Sequence, residues 1–168
     1  MTNKIIRKYL EIKSLEDLKE VKNLFGDYSV ELATPKDFQL NKFFYKNIGK
    51  NYQWVDRLVW TDLNWTEYVS NERLSTYVLK DKKEVAGYFE MMFDKKTKEV
   101  EIAYFGILEE YFGKKLGGYL LSEAIKRSFS MGSTRTWVHT CSLDHENALK
   151  NYLSRGMNVF KSETLIRN

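Results

Sequence analysis

The sequence has little of several residue types, and each shortage excludes a class of protein. It contains one cysteine, so no disulfide framework can form within the chain. One cysteine and two histidines also make a structural zinc site a poor fit, and we expect no bound metal. No apolar run approaches the roughly 20 residues that cross a bilayer, and the first residues lack the build of a signal peptide. We therefore expect a cytoplasmic protein without a membrane partner.

Linker-type sequence is also scarce. The chain contains a single proline, Pro35, and no Gly/Ser-rich stretch, internal repeat or low-complexity tract. At 168 residues it is long enough to bury a core without disulfides or metals. Hydrophobic residues make up 43% and charged residues 30%, which are values typical of a globular protein. These features predict a single domain over residues 1–168.

The charged residues form no block of one sign. The formal net charge is +4, and basic residues are mixed with acidic ones, as in residues 81–84 and 94–99. This mild excess suits an anionic ligand but is too small to indicate nucleic acid, so we expect no nucleic-acid partner. Aromatic residues reach 15%, which predicts an aromatic-lined pocket in addition to a core.

The spacing of apolar residues predicts the order of strands and helices. The first half is predicted to form a strand over residues 4–12, a helix from an N-cap at Ser14 to Gly26, a helix over residues 36–47 and a short helix from Thr61 to about Val69. The second half is predicted to form strands over residues 74–79, 85–93, 99–107, 134–140 and 159–166, and helices over residues 118–129 and 144–154. Tight turns make the first three of these strands antiparallel neighbours. The fold class is therefore α/β, or α+β with a mixed sheet.

The loop over residues 109–117 carries the first chemical signal. It follows a strand, contains glycine and leads into an amphipathic helix, so it presents free N–H groups at a positive helix end where a phosphate can bind. Lys114 and Lys115 add positive charge. By spacing alone, a helix-entry loop with exposed lysines is an equally good interpretation. The loop is neither a Walker A motif nor a G-x-G-x-x-G motif.

This loop resembles the pyrophosphate loop of the GNAT superfamily of N-acetyltransferases. The family pattern is Q/R-x-x-G-x-G/A, placed after a strand like the one at residues 99–107. Here the stretch runs from Phe112 to Gly117 and keeps the last glycine. Phe112 stands in place of Gln or Arg, and Lys115 stands in place of the central glycine.

A second motif supports the same resemblance. The family opens its last helix with N-x-x-A-x-x-x-Y-x-x-x-G-F, and Ala148, Tyr152 and Gly156 keep this spacing. His145 replaces the Asn, and Met157 replaces the Phe. Bacterial members with an H-T-C-x-x-D-H strand ending look most similar, and the order of elements agrees along the whole chain.

The resemblance implies a GNAT-like acyl-CoA N-acyltransferase fold. Its central, mostly antiparallel sheet is expected to splay between the strand at residues 99–107 and the strand at residues 134–140. The pantetheine arm of acetyl-CoA, the implied co-substrate, would lie in that gap. The residues implied in its binding are Ile107, Phe112, Gly113, Lys114, Lys115, Leu116, Gly117, Gly118, Asn147 and Tyr152. No metal is implied.

Glu101 is the candidate catalytic base that deprotonates the acceptor amine. It lies six residues before Ile107, where histone-type members of the superfamily carry a glutamate base. The alternative is a surface or cross-strand charge paired with a lysine. Glu90, on the neighbouring strand, is a second candidate that would act through water. Strict alternation puts Glu101, Ala103 and Phe105 on one face of the strand and Val100, Ile102 and Tyr104 on the other.

Tyr152 is the candidate general acid, which would protonate the departing CoA thiolate. A phenol and a thiol have similar ordinary pKa values, so this proton transfer would be roughly matched. The alternative is a helix tyrosine that only packs on the core. Asp144, at the start of the same predicted helix, is expected to be its N-cap.

Trp54, Arg57 and Trp60 are the candidate acceptor-binding residues, with Glu90 beside them. They fall in residues 48–60, to which we assign no regular structure and which correspond to the variable acceptor side of the family. Arg57, between two tryptophans, could hold a carboxylate of the acceptor. Simple core aromatics under a loop are an equally good interpretation.

These features together indicate an acetyl-CoA-dependent N-acetyltransferase. It would move an acetyl group to a primary amine of a small molecule or peptide by direct transfer in a ternary complex. The alternative is a non-catalytic acyl-CoA-binding or regulatory module, which the altered Phe112 and Lys115 positions favour. A nucleic-acid-binding domain is a third and weaker interpretation. Such folds commonly dimerise, and the sequence leaves a homodimer open.

Overall fold

A mixed sheet is the centre of the fold. The computed structural model describes residues 3–23 and 26–167, and over these ranges the sheet has seven strands. The strands are β1 (Asn3–Ile12), β2 (Tyr28–Leu32), β3 (Leu74–Asp81), β4 (Glu84–Asp94), β5 (Glu99–Ile107), β6 (Arg135–Cys141) and β7 (Asn158–Arg167). The helices are α1 (Phe38–Gly49), α2 (Asp62–Ser70), α3 (Leu116–Ser130) and α4 (Ala148–Ser154), with 3-10 turns at Leu15–Asp17 and Glu109–Tyr111.

The strand order is β2-β3-β4-β5-β6-β1-β7. Every neighbouring pair is antiparallel except β5 and β6, which run parallel. The predicted mixed, mostly antiparallel sheet is therefore confirmed, as are the two hairpins that join β3, β4 and β5. Among the described residues, no helix has both the length and the apolar character needed to cross a membrane.

Helices cover both faces of this sheet. The buried face of α3 consists of Leu120, Leu121, Ala124 and Ile125, one stripe at helical spacing. It packs on a cluster that includes Phe89 and Ile102 of the sheet. On the opposite face, Phe44 of α1 stacks on Tyr88 of β4, with ring centroids 4.6 Å apart. The sheet is thus the middle layer of the protein.

The helix predicted over residues 14–26 is wrong. Only a 3-10 turn forms, at Leu15–Asp17. Beyond it the backbone bonds to other elements instead of to itself. The Lys19 N–H donates to the Arg155 carbonyl at 3.0 Å, and the Val21 N–H donates to the Ser122 hydroxyl at 2.9 Å. Tertiary hydrogen bonds therefore replace the helical ladder that the apolar spacing indicated.

Two further predictions concern residues next to this segment. Leu24 and Phe25, the apolar end of that predicted helix, lie outside the described residues. The edge strand β2 was not predicted, because in five residues only Val30 is buried and the alternation is too short to see. By contrast α2 begins as predicted, with Thr61 and Asn64 capping it reciprocally.

The last helix begins later than predicted. It starts at Ala148 with Asn147 in the N-cap position, so Asp144 is not its cap. The Asp144 carboxylate instead accepts hydrogen bonds from the Thr140 hydroxyl and, at 3.1 Å, from the Cys141 N–H. Asp144 therefore closes the turn that follows β6.

Candidate active site

A cavity of about 1280 Å³ lies between β5 and β6. The two parallel strands pair from Glu99 opposite Arg135 to Glu101 opposite Trp137. Farther along, residues 101–107 of β5 and the end of β6 line the cavity, together with the loop before α3 and the inward side of α4. The cavity is therefore bounded by the two strands between which the sequence predicted a gap.

A bulge in β5 decides which side chains share a face. Glu90 of β4 lies opposite Tyr104, whereas Met92, two residues on, lies opposite Glu101, three residues back. One extra residue of β5 thus stands between the pairs, and such an insertion reverses the alternation. The prediction that Glu101 and Tyr104 face opposite sides is wrong: both lie on the face covered by α1. Phe105 points instead towards α4, where its ring contacts Tyr152.

Glu101 lies half-buried on the cavity wall. Burial raises the pKa of its carboxyl group. Among the described residues its side chain makes no hydrogen bond and no ion pair, so the lysine partner of the alternative interpretation is not there. An unpaired carboxyl group with a raised pKa is suited to accept a proton near neutral pH.

Tyr152 reaches the same cavity from α4. It is 6% exposed, and within the described part of the chain its hydroxyl has no hydrogen-bond partner. Burial and, to a lesser extent, the Asp144 carboxylate raise the pKa of this phenol well above 10.0. The hydroxyl therefore stays protonated at neutral pH. The expected match to a thiol did not take this burial into account, because burial can be seen only in the fold.

The loop before α3 turns through left-handed backbone. Gly113 has φ 79° and Lys115, the N-cap residue, has φ 61°. A glycine adopts this conformation without strain, which accounts for the glycine of the family pattern at the Lys115 position. No side chain caps the helix here, so its first N–H groups are open to a ligand. Gly117 is held in place by Asn151, whose amide donates to the Gly117 carbonyl at 3.0 Å.

Most of the predicted site residues line this one cavity. They are Glu101, Ile107, Phe112, Gly113, Lys115, Leu116, Gly117, Gly118, Asn147 and Tyr152, with Trp54 and Arg57 from the acceptor side. The predicted residues that do not line it are Lys114, Trp60 and Glu90. Lys114 lies over the ring of Tyr111 at 5.4 Å, and Trp60 packs edge-on against Trp65 at 4.9 Å. The roles of the residues in the wall stay predictions.

Arg57 already has a carboxylate partner. It is 7% exposed, and its Nη1 lies 3.2 Å from Glu90, which is fully buried. Tyr68 and Asn41 donate further hydrogen bonds to that carboxylate, at 2.5 and 3.0 Å. Glu90 is thus enclosed by donors and fully buried, and its role as a base through water stays a prediction. A carboxylate of the acceptor would therefore have to compete with Glu90 for the Arg57 guanidinium.

Arg57 and Trp54 belong to an irregular segment that folds back on α1. Trp54 packs directly on Gly49, where a Cβ atom would lie 2.5 Å from the Trp54 Cβ. The Arg57 N–H donates to the Tyr45 hydroxyl at 3.0 Å. Rings of Tyr68 and Tyr104 lie 4.1 and 4.2 Å from the guanidinium carbon. An aromatic wall from α1, α2 and β5 therefore surrounds Arg57, although Arg57 itself has no regular secondary structure.

Three basic residues of the cavity, Arg7, Lys150 and Arg155, were not predicted from the sequence. A Cβ atom on Gly118 would lie 2.4 Å from the Arg155 Nη1, so the guanidinium rests against the first turn of α3. Its Nε is buried, and over the described residues it has no hydrogen-bond partner. Burial lowers the pKa of Arg155. The paired glycines at Gly117 and Gly118 were the available signal, since the second one makes room for this side chain.

Comparisons with known proteins agree with this fold. Residues 34–157 match the model of the Acetyltransferase (GNAT) family. No curated protein is significantly similar to the chain in sequence. Among solved structures, a GCN5-related N-acetyltransferase from Kribbella flavida is 14% identical with a TM-score of 0.66, over 98% of this chain and 58% of that one. An aminoglycoside acetyltransferase from an uncultured soil metagenomic sample is 11% identical with a TM-score of 0.64, over 76% and 86%.

A third similar structure is the IAA acetyltransferase from Bacillus cereus ATCC 14579. It is 22% identical with a TM-score of 0.57, over 80% of this chain and 79% of that one. At these identities the structures show a common fold only. This chain spans 62%, 58% and 51% of three of the similar structures, which are therefore considerably longer.

Proposed function

Since this chain belongs to the GNAT acetyltransferase family, we propose that it transfers an acetyl group from acetyl-CoA to a primary amine of a small molecule or peptide. The observation that carries the proposal is that Glu101 and Tyr152 enter one cavity from different walls. One is an unpaired carboxyl group with a raised pKa, and the other is a phenol that keeps its proton. Such a base and such an acid accelerate direct transfer to an amine.

The residues at the α3 end of the cavity fit the phosphates of acetyl-CoA. The first N–H groups of α3 have no side-chain cap, and Lys115, Lys150 and Arg155 add positive charge around them. Arg155 places a guanidinium with a buried, unpartnered Nε beside this helix end. A phosphate there would supply the missing counter-charge and acceptor oxygens.

Acetyl-CoA, when bound, supplies a thioester carbonyl for the amine to attack. Glu101 takes a proton from the acceptor amine, and its raised pKa makes the carboxylate a stronger base than an ordinary glutamate. Tyr152 holds a proton that it gives to sulfur as the carbon–sulfur bond breaks and the carbon–nitrogen bond forms. Glu101 then gives its proton to water, and water returns a proton to the tyrosine. The reaction needs no covalent bond to the protein.

The test is a thiol-release assay with acetyl-CoA and a panel of amines, run beside thermal unfolding with and without CoA. We expect CoA to raise the Tm, because a ligand that binds only the folded state stabilises it, and at least one amine to release thiol. A Tm shift without release on any amine would favour the non-catalytic module. No shift at saturating CoA would overturn the family-based function.

A further inference from the structure

The acceptor end of the cavity is the part of its wall formed by Trp54, Arg57 and Tyr104. Arg57 is the basic residue of that wall, and Glu90 cancels its charge one for one at 3.2 Å. The rings of Tyr68 and Tyr104 cover the guanidinium at 4.1 and 4.2 Å. Arg57 therefore adds no net positive charge to this end.

Two carboxylates in the cavity wall stand free of such pairing. Asp56 is exposed and Glu101 is half-buried, and neither side chain makes a hydrogen bond or ion pair within residues 3–23 and 26–167. The pKa of Tyr104 is raised to about 12, mainly by burial, and the negative charge of Asp56 contributes to this increase. Asp56 thus lies within electrostatic reach of Tyr104, which shares a face with Glu101 through the bulge.

The cations of the cavity lie elsewhere. Lys115 and Arg155 flank the start of α3, which follows the far end of β5. Glu101 lies six residues before Ile107 on that strand, or roughly 20 Å at about 3.3 Å per residue. Arg7, on the β1 side, has Glu163 as its own partner at 3.7 Å. The cavity is therefore basic at one end and acidic at the other.

Aromatic rings line the acidic end. Trp54 packs edge-on against Tyr104 with ring centroids 4.9 Å apart, and both line the cavity with Tyr68. Ring faces attract ammonium groups, and desolvation strengthens that attraction. Carboxylates and rings together select a cation and repel a carboxylate.

From this arrangement we infer that the acceptor is a di- or polyamine, with the reacting amine at Glu101 and a second ammonium group held by Asp56 beside Trp54 and Tyr104. The inference rests on the proposed function and specifies its substrate class. It replaces a carboxylate-bearing acceptor, which would meet Asp56 and Glu101 as like charges.

The experiment compares acceptors of equal carbon chain: 1,5-diaminopentane, pentylamine and 5-aminopentanoate, with shorter and longer diamines as a length series. We expect kcat/KM to be at least about tenfold higher for the best diamine than for the matching monoamine, because a second charge-assisted contact forms. The amino acid should be the poorest. A preference for 5-aminopentanoate would overturn the inference.

Asp56→Asn should lower the diamine-to-monoamine ratio of kcat/KM about tenfold. Its matched control is Glu67→Gln, an exposed carboxylate on α2 that does not line the cavity, which should leave the ratio unchanged. Calorimetry of 1,5-diaminopentane with the CoA-bound protein gives a readout apart from turnover, and Asp56→Asn should weaken that binding. An unchanged ratio and unchanged binding would refute the role of Asp56.

The two proposals fail separately. If acetyl-CoA binds but no amine is acetylated, the proposed function fails, and diamine calorimetry still tests the acidic end. If amino acids or neutral amines are acetylated best, the proposed function holds and the inference falls.

Discussion

The two ends of the cavity are built by different means. At the α3 end, the binding groups come mainly from the backbone. Left-handed residues at Gly113 and Lys115 shape the loop and leave the first N–H groups of the helix open. At the acceptor end, the wall is built from side chains, and Arg57 is held by Glu90 and by rings from several elements. Backbone recognition needs glycine at fixed spacing, whereas side-chain recognition follows no local pattern. The first end can therefore be predicted from a local sequence pattern, whereas the second cannot.

Tyr152→Phe tests the proposed general acid, and it has the largest expected effect. Loss of the proton donor should lower kcat about 10²–10⁴-fold if thiolate departure limits the rate. The KM for acetyl-CoA should change little, because the phenol acts in the transition state. Stability should hardly change, since the hydroxyl has no partner among the described residues. Steady-state kinetics on the best amine measures this, and full kcat would reduce Tyr152 to a packing residue.

Glu90→Gln tests whether the acceptor wall depends on its buried ion pair. Removing one partner leaves the Arg57 charge buried and uncompensated, which should cost about 3–5 kcal/mol of unfolding free energy. Urea denaturation measures it. The matched control is Glu31→Gln, which breaks the exposed 3.0 Å pair with Lys80 and should cost about 0–1 kcal/mol. Equal losses in both variants would show that burial does not matter here.

Gly117→Val tests the backbone-built end. A side chain in the first turn of α3 should obstruct the approach of a phosphate and weaken CoA binding at least about tenfold. The fold should tolerate it, because a Cβ atom there would meet only the Asn151 amide, at an ordinary 3.5 Å. Calorimetry with CoA gives the affinity, and the Tm without ligand controls for folding. Unchanged affinity would mean that the phosphates bind elsewhere.

Glu101→Gln tests the acidic end by its pH dependence. Burial raises the folded-state pKa of Glu101 above 4.5. Wild-type stability from this group is therefore fully present below the unfolded-state pKa and is lost as pH rises through the folded-state pKa. The variant lacks this loss, so its Tm relative to wild type should increase from about pH 4 to about pH 8. A constant difference would contradict the burial of an unpaired carboxyl group, and the variant should also lose the base-dependent rise of kcat/KM with pH.

Lys115→Gly has the smallest expected effect. Glycine relieves the left-handed strain at φ 61°, which is worth about 1 kcal/mol, but it also gains freedom in the unfolded chain. The net change should stay within about 1 kcal/mol, and CoA affinity should fall less than in Gly117→Val. Thermal unfolding and calorimetry measure both. A loss as large as that of Gly117→Val would give the Lys115 side chain a direct part in binding.

The regular elements show how far pattern reasoning reaches. The bounds of β5, Glu99–Ile107, agree with the prediction because tight turns delimit an alternating run. The predicted helix after Ser14 fails because Lys19 and Val21 donate to residues more than a hundred positions away. The bulge that turns Glu101 towards Tyr104 leaves no mark in the sequence, since an extra residue looks like any other strand residue.

Local backbone conformation and helical spacing are enough to predict the fold class, the loop from Phe112 to Gly117 and the helix that carries Tyr152. Folding is needed to bring Glu90 to Arg57 and Arg155 to Gly118, and to leave the Glu101 side chain without a partner among the described residues. These contacts join residues from different elements across the sheet. Their energies come from burial and distance, which exist only once the chain has folded.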